Sequence, residues 1–212
     1  MYNPKDSYWR RAKKEGYRSR ASYKLIELNE KFKLIKQGDR VFDIGCAPGG
    51  WMQVALEIVG NREFVYGVDI EEIKSFNKPN AIFIRADISK SEERESILKK
   101  IGEKVDVVIS DIAPHTTGVK ISDKANSLAL SRESFYFSRL LLKEGGNFLL
   151  KVFQGSDFTD FLKEIKASFS EAQTTKPEAT RKGSAEVYIV GKGYKGSVSV
   201  SEYQGIKEKT KT

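Results

Sequence analysis

The chain has 212 residues, 39% hydrophobic and 31% charged, with a formal net charge of +8. That is apolar content for one core of ordinary domain size, and no run of about 18 apolar residues is present to span a bilayer. One cysteine and one histidine exclude an internal disulfide and a cysteine-only metal cluster, so no metal is expected.

The opening MYNPKDSYWRRAKKEGYRSR lacks the apolar centre of a secretory signal, and a reducing, cytoplasmic setting is expected. The first forty residues hold twelve lysines and arginines against five acids, a surplus of seven. Residues 1–24 are read as a basic arm. Its Arg10, Arg11, Lys13, Lys14, Arg18 and Arg20, interleaved with Tyr8, Trp9, Tyr17 and Tyr23, suit a phosphate backbone, with rings able to stack on bases. A helix is predicted over about 20–33, where Leu25, Leu28 and Phe32 recur at helical spacing. Then β-rich runs alternate with helical ones. The strands are RVFDI, EFVYGVDI, AIFIRADI, VDVVISDI, GNFLLKVF and AEVYIVGKG. The helical stretches are WMQVALEIV, SEERESILKKI, ANSLALSRESFYFSRLLL and DFTDFLKEIKASF. The tail from about Glu202 reads as frayed. Such alternation predicts an α/β fold, a mostly parallel sheet with helices on both faces, as a single domain over 1–212.

In such sheets ligands bind beyond the carboxyl ends of the strands. The predicted strands end at Asp43, Asp69, Asp87, Asp111 and Lys151, so four acids and a lysine should meet on one rim. The turn after the first strand, GCAPGGW, has neither the Gly-Lys-Ser/Thr of a Walker loop nor the G-x-G-x-x-G of a dinucleotide site. Gly45, Gly49 and Gly50 clear side chains from where a ligand meets the backbone, and Pro48 holds the turn open. Trp51 either walls the pocket or packs in the core, and Cys46 reads as a buried filler. Asp69, ending the second strand, is placed to accept from a ribose diol. A rim of acids without a lysine repels pyrophosphate and suits a cationic adenosine ligand, S-adenosylmethionine.

DIGCAPGGW, GVDI, SDIAPHTTG, LLKVFQG, SAEVYIVGKG and the entry segment GYRSRASYKLIELNEKF resemble the FtsJ family of ribose 2′-O-methyltransferases, from about Tyr8 to Lys195. The resemblance implies a Rossmann-like S-adenosylmethionine-dependent methyltransferase fold. It implies a Lys-Asp-Lys-Glu tetrad at Lys24, Asp111, Lys151 and Glu186, and methyl-donor contacts at Gly49, Trp51, Asp69, Asp87 and Asp111. Lys151 is the expected base, held by Asp111, with Lys24 and Glu186 as orienters. A lysine base is charged at neutral pH unless burial or a second cation lowers its pKa; a carboxylate raises it. His115, where the family more often has asparagine, is the rival base or a loop-shaping residue.

The family implies an RNA substrate. A uridine of large-subunit ribosomal RNA, naked or within the assembled subunit, is favoured over a transfer RNA ribose; a monomer with neither DNA nor membrane partners is expected. Two other classes stay open. A dinucleotide-dependent oxidoreductase is disfavoured by the missing glycine fingerprint, and a non-catalytic RNA-binding protein by the intact tetrad. The predicted strands are used up by one sheet, leaving none for an added β-barrel RNA-binding module.

Overall fold

The structure, a computed structural model, describes residues 6–113, 120–155, 157–181 and 183–196, with backbone alone over 120–125. His115 and the tail from about 202 lie outside the described residues. Seven strands form one sheet: β1 (Val41–Ile44), β2 (Val65–Asp69), β3 (Ala81–Arg85), β4 (Val105–Ser110), β5 (Leu142–Phe153), β6 (Phe169–Thr175) and β7 (Glu186–Tyr194). Their order is β3-β2-β1-β4-β5-β7-β6. The pairings among β1 to β5 are parallel, and β7 runs antiparallel to both β5 and β6. This reversal puts Glu186, the first residue of β7, opposite Phe153, the last of β5. The start of β7 therefore lies on the rim where the parallel strands end.

Among the described residues the helices are α1 (Ser7–Glu15), α2 (Ser22–Phe32), α3 (Gly50–Val59), α4 (Ser91–Ile101), α5 (Lys120–Leu141) and α6 (Phe158–Ser168). The period of two along each strand divides the core between the sheet's faces. Val41, Val107, Ile109, Leu149, Tyr188 and Val190 pack against α2 and α3. Phe42, Ile44, Val108, Phe148, Leu150 and Ile189 pack against α4, α5 and α6. Asp43 and Lys151, each two residues on from a member of the first set, therefore belong to the face covered by α2 and α3. Among the described residues, no helix is long and apolar enough to cross a membrane.

The elements depart from the sequence reading at identifiable places. Part of the predicted basic arm is α1. Asp6 caps it by accepting the Trp9 amide at 3.0 Å, Gly16 ends it with φ 80°, and buried Ala12 docks it beside Tyr23 and Ala179. A side-chain cap of this kind is worth about 1 kcal/mol. The edge strand β6 was not predicted, because six of its seven residues are at least partly exposed and FSEAQTT lacks apolar alternation. β1 and β4 stop at Ile44 and Ser110, so Asp43 lies inside its strand and Asp111 just past its own. Asp87 lies two residues beyond β3, and Lys151 two residues before the end of β5.

Candidate functional site

Four predicted side chains meet at the rim on the α2–α3 face. Lys24, from the first turn of α2, places Nζ 2.7 Å from Glu186 Oε1 and 4.0 Å from Asp111 Oδ1. Lys151 Nζ lies 3.1 Å from the same Oδ1 and also donates to the Asp111 carbonyl oxygen. Both lysines are buried, so each side-chain nitrogen needs these partners. Burial pushes the Asp111 carboxyl up, but Lys151, Lys24 and the Tyr188 hydroxyl together hold it below the ordinary carboxylate value of 3.8.

Tyr188 was not anticipated. Its hydroxyl donates to Asp111 Oδ1 at 2.8 Å, its ring lies 6.0 Å from that of Trp51, and it pairs in register with Lys151. Burial, then Asp111 and Glu186, raise this phenol well above its ordinary value. Once β7 begins at Glu186, the period of the strand puts residue 188 on the same face.

The turn after β1 separates two cavities. One, of about 330 Å³, is bounded by Asp69, Glu71, Asp87, Asp111 and the apolar side chains of Ile70 and Ile88, among others. Its volume lies in the range of small-molecule sites, and among the described residues no lysine or arginine lines it. The second, of about 210 Å³, is bounded by Arg20, Asp43, Gly50, Trp51 and Asp111. Gly45, Ala47 and Asp111 border both.

Asp69 fixes the turn that lies above it: one carboxylate oxygen accepts the Ala47 amide and the other the Glu71 amide, each at 2.9 Å. Asp87 accepts the Ser89 amide; hydrogen bonds from Ser89 lower its pKa. Asp43 is different. It is 1% exposed, and neither carboxylate oxygen has a hydrogen-bond partner among the described residues. Burial, then Asp111 and Asp69, push its carboxyl well above the ordinary range.

The glycines of the turn serve the protein's own packing. Gly45 has φ 74°, and a Cβ there would lie 2.7 Å from the Ile112 side chain. A Cβ on Gly50 would lie 2.1 Å from Ser19 Oγ. Gly49 borders neither cavity. Trp51 combines both readings open to it: it is 3% exposed, donates its indole N–H to the Ala21 carbonyl, and still lines the second cavity. Cys46 is buried, as expected, and burial drives its thiol pKa up.

The basic residues divide into two groups. Arg10, Lys13 and Lys14 are exposed on α1. Arg11 pairs with Glu15 in the same helix. Arg20 pairs with Asp6 and donates to the Ala179 carbonyl, and Arg18 donates to the Lys74 and Ser75 carbonyls. The last two are therefore tied into the fold and do not project as part of a free arm.

Residues 17–194 match the family model described as FtsJ-like methyltransferase. The chain is 47% identical over 192 residues to ribosomal RNA large subunit methyltransferase E of Methanothermobacter thermautotrophicus, covering 91% of each chain. It is 46% identical over 195 residues to the protein of the same name from Methanobrevibacter smithii, covering 92% of this chain and 93% of that one. A solved ribosomal RNA methyltransferase from Plasmodium falciparum matches with TM-score 0.74 at 34% identity, over 85% of this chain and 100% of that chain.

Proposed function

This chain belongs to the FtsJ-like methyltransferase family, and from that premise we propose that it transfers a methyl group from S-adenosylmethionine to a ribose 2′-hydroxyl of RNA. The proposed substrate is a uridine of large-subunit ribosomal RNA, and residues 1–212 act as one methyltransferase domain in the cytoplasm. The observation that carries this reading is the place of Asp111. It borders the acid-lined cavity and also contacts Lys151 and Lys24, so a donor in that cavity would adjoin the two lysines.

The residues fit the donor. Asp69, Glu71, Asp87 and Asp111 favour a cation and disfavour phosphates, and the buried Asp43 carboxyl lies beside the same turn. Asp69 and Asp87 would hold the nucleoside, with Gly45, Gly49, Gly50 and Trp51 forming the turn next to it. When bound, S-adenosylmethionine supplies an electrophilic methyl group on a positive sulfonium.

The chain's own residues then act on the acceptor. Asp111 is a poor base, because Lys151 and Tyr188 already share its carboxylate, Lys24 lies 4.0 Å away, and its pKa is depressed. Glu186 is engaged by Lys24. On the proposed reading Lys151, acting as the unprotonated amine, takes the 2′-hydroxyl proton, while Asp111 fixes its position and the Lys24–Glu186 pair orients the ribose. Arg10, Lys13 and Lys14 lie on the exposed face of the helix that precedes Lys24, placed to meet phosphates.

The test is to map 2′-O-methyl positions in RNA from cells with and without this protein. Loss of one large-subunit ribosomal RNA ribose methylation is expected. An unchanged map of that RNA, or loss at a transfer RNA instead, would remove the proposed substrate.

A further inference from the structure

The segment joining α1 to α2 is fastened to the turn and α3 at several points. Gln53 accepts the Arg18 amide at 3.0 Å and donates to the Gly16 carbonyl at 3.1 Å. Ser22 Oγ donates to the Gly50 carbonyl at 3.1 Å, and the Trp51 indole to Ala21 at 2.8 Å. Arg18 reaches further. Its Nη1 donates to the Lys74 carbonyl at 2.7 Å and, at the limit of 3.5 Å, to that of Pro48. Its Nη2 donates to the Ser75 carbonyl at 2.8 Å, and the guanidinium lies 3.4 Å from the centre of the Phe76 ring. Among the described residues, no carboxylate forms an ion pair with it.

The turn leaves room for this group. A Cβ on Gly49 would lie 2.8 Å from Arg18 Nη1 and 2.9 Å from Phe76 Cζ, and Gly49 has φ 102°. Residues 72–78 belong to no helix or strand, and they follow directly on Asp69, Ile70 and Glu71, which wall the larger cavity. A wall of irregular backbone needs an external fastening to hold one shape.

We propose that Arg18 is a positioning residue for the methyl donor, clasping the segment after β2 to the glycine turn so that both walls of the donor cavity keep one spacing. This rests on the methyl-donor reading above. It also separates Arg18 from the cations of α1: its guanidinium is committed to three backbone carbonyls and a ring, and it is not a phosphate contact.

The test uses the full chain, with S-adenosylhomocysteine as the probe in calorimetry and steady-state methylation of large-subunit ribosomal RNA. Arg18→Ala removes two short charge-assisted hydrogen bonds and the longer one to Pro48, so the dissociation constant and the donor KM should rise by about tenfold or more. The value of kcat at saturating donor, and the salt dependence of RNA binding, should stay near those of the parent chain. Arg18→Lys should recover only part of the affinity, because an ammonium cannot make the fork and cover the ring together. Phe76→Leu should weaken donor binding in the same direction, by less. If Arg18→Ala fails to fold, the same split of KM from kcat is read on these two variants. A lower melting temperature with unchanged donor affinity would make Arg18 a purely structural residue. A flatter salt slope with unchanged donor affinity would return it to the RNA surface. Either result overturns the clasp. Failure of the parent chain itself to bind S-adenosylhomocysteine would overturn the donor reading and the clasp together.

Discussion

Asp43 is a carboxylate whose burial works against the fold. Folding raises its pKa, so between pH 3.8 and the raised native value the native state holds a proton that the unfolded chain has released. Its stabilising share is present below the ordinary value of 3.8 and is lost as pH rises through the raised native value. Asp43→Asn should therefore raise the melting temperature of the ligand-free protein at neutral pH and flatten its pH dependence, while weakening S-adenosylhomocysteine binding. A lower melting temperature in calorimetry would contradict this. Lys151→Ala should abolish methyl transfer with donor affinity and folding near normal, the pattern of a group acting in the transition state; retained turnover would move the base elsewhere. Asp69→Ala should weaken donor binding by about 1–3 kcal/mol, since it frees the amides of Ala47 and Glu71 as well as the ribose hydroxyls. Unchanged affinity by titration would take Asp69 out of the site. The residues that converge with Asp111 were legible in motifs: Lys24 in SYKL, Lys151 in LLKVF and Glu186 in SAEVY. Tyr188 was not, because a buried tyrosine in a strand reads as core until its register partner is known.

Among the elements, α4 was readable to the residue, since SEERESILKKI is closed by Gly102. α1 was obscured by its charge, which outweighs its few apolar side chains; its start and stop, Asp6 and Gly16, were visible as cap residues. The helix changes what the basic segment does. Arg10, Lys13 and Lys14 stand at i, i+3 and i+4 on one helix surface, so on the proposed reading they would meet RNA without first being ordered. Replacing all three by glutamine should weaken RNA binding and reduce the slope of log affinity against log salt by roughly 2, at about 0.7 per single-strand phosphate contact. Donor affinity should not move. Equal slopes for the parent and triple variant would make these cations a solvated face.

Across the whole molecule, alternation of strands and helices was enough to foresee a parallel sheet with two covered faces. It was not enough to foresee β6, which lies on the edge and exposes most of its length. Ligand and fold are linked at this scale. A donor product that binds only the native state should stabilise the chain by about 2.7 kcal/mol at a hundredfold excess over its dissociation constant. A melting temperature that ignores saturating S-adenosylhomocysteine would contradict the linkage. RNA affinity should fall steeply with salt, as befits a chain of net charge +8.

The reversed strand β7 also sets an order of assembly. It is threaded between β5 and β6, yet it follows both in the chain. During synthesis β6 leaves the ribosome before β7, the strand it pairs with, and β5 waits with an open edge. Glu186 comes out later still than Lys24, Asp111 and Lys151. A nascent chain can therefore display the cationic surface of α1 near ribosomal RNA long before the four-residue set is complete, and on the proposed reading it stays chemically inert toward the ribosome that is making it.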